Sequence, residues 1–406
     1  MQSASTLPAA WKPPRSAALR LRAQALGLAA LATTLVASCE FPLPGADVDP
    51  GPGPPPLGDA PCELRDRSIC VHLVELADQS LPDGVLDTDT SDLCAKPPLV
   101  PAAAPYCVIR AAALTVPAGV TVRAIGARPL VLVATGAVTI NGTIDVSSRR
   151  EALPSTPKST GAGGGHATSC LAFLRAAQPK SAGGIGGGGG GGTFGGLGGS
   201  GGDGDAGSAD PAVGGLPTLM RDPQPTTLRA GCRGGQGAGI SAATKGGDGG
   251  DGGGALYVAS KLSITVNLGG QLAANGAGGL GGDLLSGGGG GGSGGLLVLD
   301  APTVTRGGRL TANGGGGGEG GSASAAGLPG ADGLISTAHA AGGDSGAPST
   351  SAGGAGGARS PIDGEYGANS PAAAGGGAGG GTGVIRIYGA TGTAGPVESP
   401  GVQHTP

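Results

Sequence analysis

The chain has 406 residues, of which 92 are Gly and 33 are Pro, with a net charge of -4 and 2 % aromatic residues. Glycine and proline are the two types that fit worst inside helices, so a helical protein is excluded. No Gly-X-Y period runs through the glycine, which removes collagen; it arrives instead in blocks between short stretches of alternating Val, Ile, Leu and Thr. The composition fits neither full disorder nor an ordinary enzyme core, and predicts a β-repeat protein with long glycine insertions.

Residues 1–38 contain Lys12, Arg15, Arg20 and Arg22, no acidic residue, and an uncharged run of 16 residues from Ala23 to Ser38. This is the pattern of a secretory signal peptide, and the run is shorter than the roughly 20 residues that cross a bilayer as a helix. Its end, Leu35-Val36-Ala37-Ser38-Cys39, resembles a bacterial lipobox. The resemblance implies that Cys39 becomes the N-terminus and carries the lipid, and two or more acyl chains give a stable membrane anchor. Glu40 follows, where Asp would mark inner-membrane retention in well-studied enteric bacteria, so the outer membrane is preferred. Without residues 1–38 the chain keeps 20 basic against 28 acidic residues and seven aromatics. That balance argues against nucleic acid as a partner, and supplies few platforms for stacking bases or sugars.

Setting Cys39 aside leaves Cys62, Cys70, Cys94, Cys107, Cys170 and Cys232. An even number in an exported protein reads as disulfides, and six cysteines allow 15 pairings. Nearest-neighbour pairing, 62 with 70, 94 with 107 and 170 with 232, is the economical choice. No CxxC occurs, which argues against zinc and redox sites.

Residues 39–57 read as a Pro/Gly-rich tether, with Pro54-Pro55-Pro56 in a row. Residues 58–110 hold four cysteines and are expected to form a small module or an N-terminal cap. From 111 to 388 a unit recurs: a continuous apolar strand (Leu130–Val133, Leu256–Val258, Leu296–Leu299), then an alternating strand, then Asn-Gly or Ser, then glycine. In the second copy Leu262, Ile264, Val266 and Leu268 form the alternating apolar face. Leu272 and Leu310, like Asn275 and Asn313, are 38 residues apart. Such repetition predicts stacked units, each burying an apolar face it cannot bury alone. The expected fold is all-β: right-handed parallel β-helix-like repeats with insertions at 148–254, 276–294 and 314–382, and a β-sandwich as the rival. Glycine blocks such as 186–192 and 287–292 are expected to be disordered loops; the ordered alternative is side-by-side polyglycine II bundles. Residues 389–406 read as a flexible tail.

Three Gly-Gly-x-Gly-x-Asp matches end at Asp203, Asp251 and Asp283 and give weak calcium candidates, since their spacing is not the nine residues of the calcium-binding repeat. Gly343-Asp344-Ser345-Gly346, with His339 nearby, looks like a serine-protease segment without the fold that such a site needs. Ser200 and Ser293 match a nucleophile elbow without its strand–turn–helix context. His166 has no second ligand at metal spacing and reads as an exposed loop residue. Asp145 and Asp300, at strand ends, are expected to face solvent. No catalytic residue, metal or cofactor is assigned.

Over nearly its whole length the chain resembles the glycine-rich exported lipoproteins of some bacteria. The resemblance implies a lipid-anchored, non-enzymatic cell-envelope protein with a structural or adhesive role. An enzyme acting on polysaccharide and a calcium-stabilised adhesin are the alternatives, and an envelope or matrix polysaccharide or a protein is the open partner class.

Overall fold

The structure, a computed structural model, describes residues 76–95, 106–150, 160–164, 170, 176–180, 184–217, 221–241, 246–347, 349–391 and 395–405. The described residues contain no α-helix; their regular elements are strands, and every strand-to-strand pairing is parallel. They form three ladders. The first runs through β3 (Cys107–Ala111), β6 (Leu130–Ala134), β9 (Ala255–Ser260), the first half of β12 (Leu296–Arg306), the start of β14 (Val384–Thr391) and β16 (Gln403–Thr405). The second runs through β1 (Gln79–Ser80), β4 (Leu114–Val116), β7 (Val138–Ile140), β10 (Ser263–Val266) and the second half of β12. The third runs through β2 (Gly84–Asp87), β5 (Thr121–Ile125), β8 (Thr143–Asp145), β11 (Gln271–Ala273), β13 (Arg309–Thr311) and β15 (Val397–Ser399).

The sequence pattern explains the assignment of strands to ladders. Continuous apolar runs occupy the first ladder because it is covered on both faces. Ile109, Leu132, Val258, Leu299 and Ile387 point into a common core with Leu114, Ile140, Ile144, Ile264, Leu272 and Leu310. Val108, Val131, Tyr257, Val298 and Phe194 form a second buried layer on the other side. The alternating strands fall in the second and third ladders, where one face is buried. Leu272 pairs with Leu310, as the 38-residue offset requires. The alternation in the second copy is shorter than the sequence suggests: Ile264 and Val266 are buried, whereas Leu262 and Leu268 lie just outside β10 in the turns and are 61 % and 81 % exposed.

The glycine blocks are ordered where they are described, which overturns the expectation of loose loops. Gly287, Gly290 and Ser293 donate backbone N–H bonds to the carbonyls of Ala238, Gly235 and Cys232. Gly288, Gly291 and Gly294 donate to Gly375, Ala378 and Gly381, and Gly289, Gly292 and Gly295 donate to Leu280, Ala277 and Ala274. The same segment accepts from three others: from Gly247, Gly250 and Gly253, from Gly189 and Gly192, and from Gly315 and Gly318. Bond direction thus repeats every three residues, the period of a polyproline II helix, and one segment is bonded to six neighbours at 2.6–3.0 Å. Only glycine permits that approach: a Cβ on Gly290 would overlap the carbonyl oxygen of Gly190. Each interior N–H and C=O thereby finds a partner, which offsets the large ordering entropy of glycine.

The chain after residue 388 is also structured. β14 continues to Thr391, β15 adds to the third ladder and β16 to the first, so the expected flexible tail is corrected to two further strands. In the segment expected to be an N-terminal module or cap, β1, β2 and β3 join the same ladders as the repeats.

Replacing Gly290 with Ala should destabilise the protein by about 3 kcal/mol, because the neighbouring atoms are backbone and cannot yield. Gly401→Ala, where nothing lies within 4 Å of the added methyl, should stay within about 0.5 kcal/mol. Urea unfolding of both variants, with hydrogen exchange across 287–294, measures the difference.

Candidate functional site

Polar and charged side chains buried among glycine and apolar strands are the groups from which a site could be built. Asp145, at the end of β8, is 2 % exposed rather than solvent-facing; it accepts from Arg123 at 2.9 Å, Arg149 at 2.5 Å and the Ser147 N–H at 2.9 Å. Asp300, in β12, is 8 % exposed and accepts the Tyr257 hydroxyl at 2.6 Å. The expectation of solvent-facing carboxylates fails at both: each is buried against the groups that bond it, and Asp300 lies within β12, not at its end. Two guanidinium groups on Asp145 satisfy its charge, as a buried carboxylate requires.

Glu319 is fully buried in the glycine array. Burial pushes its carboxyl up, but the Ser345 hydroxyl at 2.6 Å, Thr350, and the N–H groups of Leu328 and Ser345 outweigh this, holding it below the ordinary glutamate value. Ser345 therefore faces a carboxylate. His339 instead places its ring nitrogens 2.9 Å and 3.0 Å from the carbonyl oxygens of Gly356 and Ser360, so the protease-like segment assembles no Ser–His pair. Ser293 is buried, bonding the backbone N–H and carbonyl of Cys232 as a part of the array.

Asp332 accepts from the N–H groups of Arg150 and Gly278, and Arg150 in turn donates to the carbonyls of Gly279 and Gly330. Burial raises the Asp332 carboxyl above its usual value despite these bonds and the nearby guanidinium groups. The three calcium candidates are not brought together. Asp203 accepts the Gly214 N–H, Asp251 accepts the Thr160 hydroxyl and lies 3.4 Å from Arg233, and Asp283 accepts the Leu284 N–H. Among the described residues no three His, Cys, Asp or Glu side chains converge as metal ligands. A cleft of about 180 Å³ beside β1 and β2 is lined by Leu81, Leu86, Leu93 and Val122, and its one carboxylate, Asp83, accepts the Thr121 N–H.

Cys94 is bonded to Cys107 and Cys170 to Cys232, two of the three nearest-neighbour pairs. Cys39, Cys62, Cys70 and His166 lie outside the described residues. A polar ladder that the sequence marked only by its 38-residue repeat joins four rungs: Ser147 Oγ accepts the Asn275 N–H, Asn275 Oδ1 accepts the Asn313 N–H, and Asn313 Oδ1 accepts the Ser399 hydroxyl. The arrangement is one of fastening. No protein-family model, curated protein or solved structure matches this chain.

Two outcomes follow. Because the Glu319 carboxyl titrates lower when folded, its contribution is present above the ordinary glutamate value and is lost as pH falls through the folded one. Glu319→Gln should therefore cost about 1–3 kcal/mol near neutrality, a gap that closes in acid when unfolding is followed against pH. Separately, Cys232→Ser, which opens the loop of sequence separation 62, should lower stability by about 4 kcal/mol in denaturant titration.

Proposed function

We propose that this chain is a lipid-anchored, non-enzymatic protein of the bacterial cell envelope with a structural or adhesive role. In this reading the three ladders are the faces of a right-handed parallel β-helix: parallel crossovers are right-handed in nearly all sheets, and strands on either side of the longest insertion pair in all three ladders. The observation that carries the reading is the glycine array. It grows directly out of the ladders, since Gly254, Gly295 and Gly383 lead into β9, β12 and β14, and the Leu296 and Val384 N–H groups bond back to Gly254 and Gly295. A body whose packing surface is backbone, bonded in six directions, is stiff, and its extended segments are already engaged with neighbours and so closed to a protease.

The anchor would be Cys39, with residues 39–57 as the tether and the outer membrane as the preferred site. The buried acids support this reading over an enzyme, because each is engaged in holding chain segments together. An envelope or matrix polysaccharide, or a protein, is the partner class that a surface body of this kind would meet.

The intact mass of membrane-extracted protein tests the proposal. It should equal residues 39–406 plus a lipid increment, and Cys39→Ser should abolish both the increment and membrane retention. A soluble wild-type protein without lipid would overturn the anchored reading.

A further inference from the structure

The outward faces of the three ladders differ. That of the first is apolar and covered by Phe194 and its neighbours. That of the third is mixed, with Thr121, Thr143, Gln271, Arg309 and Val397 in one register. That of the second is uniform: Ser80 pairs with Thr115, Thr115 with Thr139, Thr139 with Thr265 and Thr265 with Thr305, one column of hydroxyls over five rungs. Beside it Ser263 pairs with Thr303. The column survives the long insertion between β7 and β10, so it is not a by-product of a short sequence repeat.

Several properties of this column bear on what it would bind. Ser80, Thr303 and Thr305 are exposed and the other members half-buried, and none of their hydroxyls bonds to protein among the described residues. Strand spacing sets the hydroxyl repeat at about 4.8 Å and the column at about 19 Å long. The outward strand positions carry no charge, the exposed Asp78 and Lys261 lying beyond the ends of β1 and β10, so an ionic partner finds charge at the margins and not along the column; none is aromatic, so a sugar ring finds no stacking platform. The complementary partner is neutral, flat, periodic, and able both to donate to and accept from hydroxyls. Each threonine of the column also carries a methyl, and the exposed Leu262 and Leu268 flank the face at the two ends of β10.

We infer that the outer face of the second ladder is a binding surface for ice. Equivalent oxygens in hexagonal ice repeat at a spacing close to that between adjacent strands, so successive hydroxyls can occupy successive lattice positions without rearrangement. The column is held by the same backbone ladder that buries Leu114, Val138, Ile264 and Val304 on its other side, so it is ordered before contact and little entropy is lost on binding. The inference is independent of the lipid anchor.

The test is ice-recrystallisation inhibition and crystal shaping by the purified full-length exported chain. Wild-type protein should inhibit at micromolar concentration and facet growing crystals. Thr139→Tyr and Thr265→Tyr place a ring on the face at strand positions that tolerate aromatics, and each should raise the concentration for half-inhibition about tenfold or more with the melting temperature unchanged. Gln271→Tyr, on the third ladder, should leave inhibition intact. Folded wild-type protein that neither inhibits nor facets overturns the inference, as does equal loss from Gln271→Tyr. Retention on crystalline cellulose or chitin, abolished by the same threonine variants while ice growth is untouched, assigns the face to a polysaccharide instead.

Discussion

Backbone register between parallel segments is the constraint on which the molecule rests. In the ladders, register brings Leu86, Ala124, Ile144, Leu272 and Leu310 to the interior. A shift of one residue would send each of these side chains outward, so the core fixes the register strongly. The glycine segments have no side chains with which to enforce a register of their own. They inherit it from the strands they join, because the segment ending at Gly295 starts β12 and the one ending at Gly383 starts β14. Ordering such a segment alone would be prohibitive; ordering it between fixed ends, with six neighbours awaiting its N–H and C=O groups, is not.

The buried polar groups belong to the same economy. Asp145 gathers Arg123 and Arg149 where the first insertion leaves β8. Asp332 and Arg150 tie the beginning of that insertion to the segment containing Gly330. Glu319 closes the turn that carries Ser345 and Thr350. Asp145 and the Asp332–Arg150 pair lie where the chain leaves the ladders for an insertion, and Glu319 lies within the array beside a turn; at each, side chains supply partners that backbone does not. A buried carboxylate without such bonds would be costly, and each of these three has several. Chemistry that resembles a catalytic motif in the sequence, as at Ser345, is here absorbed by that role.

How much of this was legible follows from what each element signals. The continuous runs Leu130–Val133 and Leu296–Leu299 announced strands, though not that both their faces are covered, and the offset from Leu272 to Leu310 announced the stacking register, because both depend on side-chain hydrophobicity. Leu262 and Leu268 misled because alternation alone does not mark where a strand ends and a turn begins. The glycine array left no such trace: its period of three resides in the direction of N–H bonds, and a run of identical residues has no visible period. Of the buried sites, only Asn275 and Asn313 were marked by spacing. Besides its local partners Ser147 and Arg149, Asp145 meets Arg123 22 residues away, and Asp300 and Glu319 meet Tyr257 and Ser345 43 and 26 residues away; no local pattern predicts those distant meetings.

The three-residue period does surface where the array meets solvent. Arg233 and Gln236 on one segment face Asp251 and Asp248 on the next, three residues apart on both strands, and bond across at 3.4 Å and 2.7 Å. Positions between them are glycine or otherwise small because they point at neighbouring backbone. A change in length by three residues would therefore keep outward positions outward. A change by one or two would drive an arginine or aspartate into a space where even a methyl collides with a carbonyl. The array is thus tolerant of growth along its axis and intolerant of side chains within it, the reverse of an ordinary core, where side-chain volume is the currency and backbone spacing is incidental. That inversion lets a chain with 2 % aromatic residues bury long stretches of itself: it packs with peptide groups, and reserves its apolar side chains for the ladders that set the register.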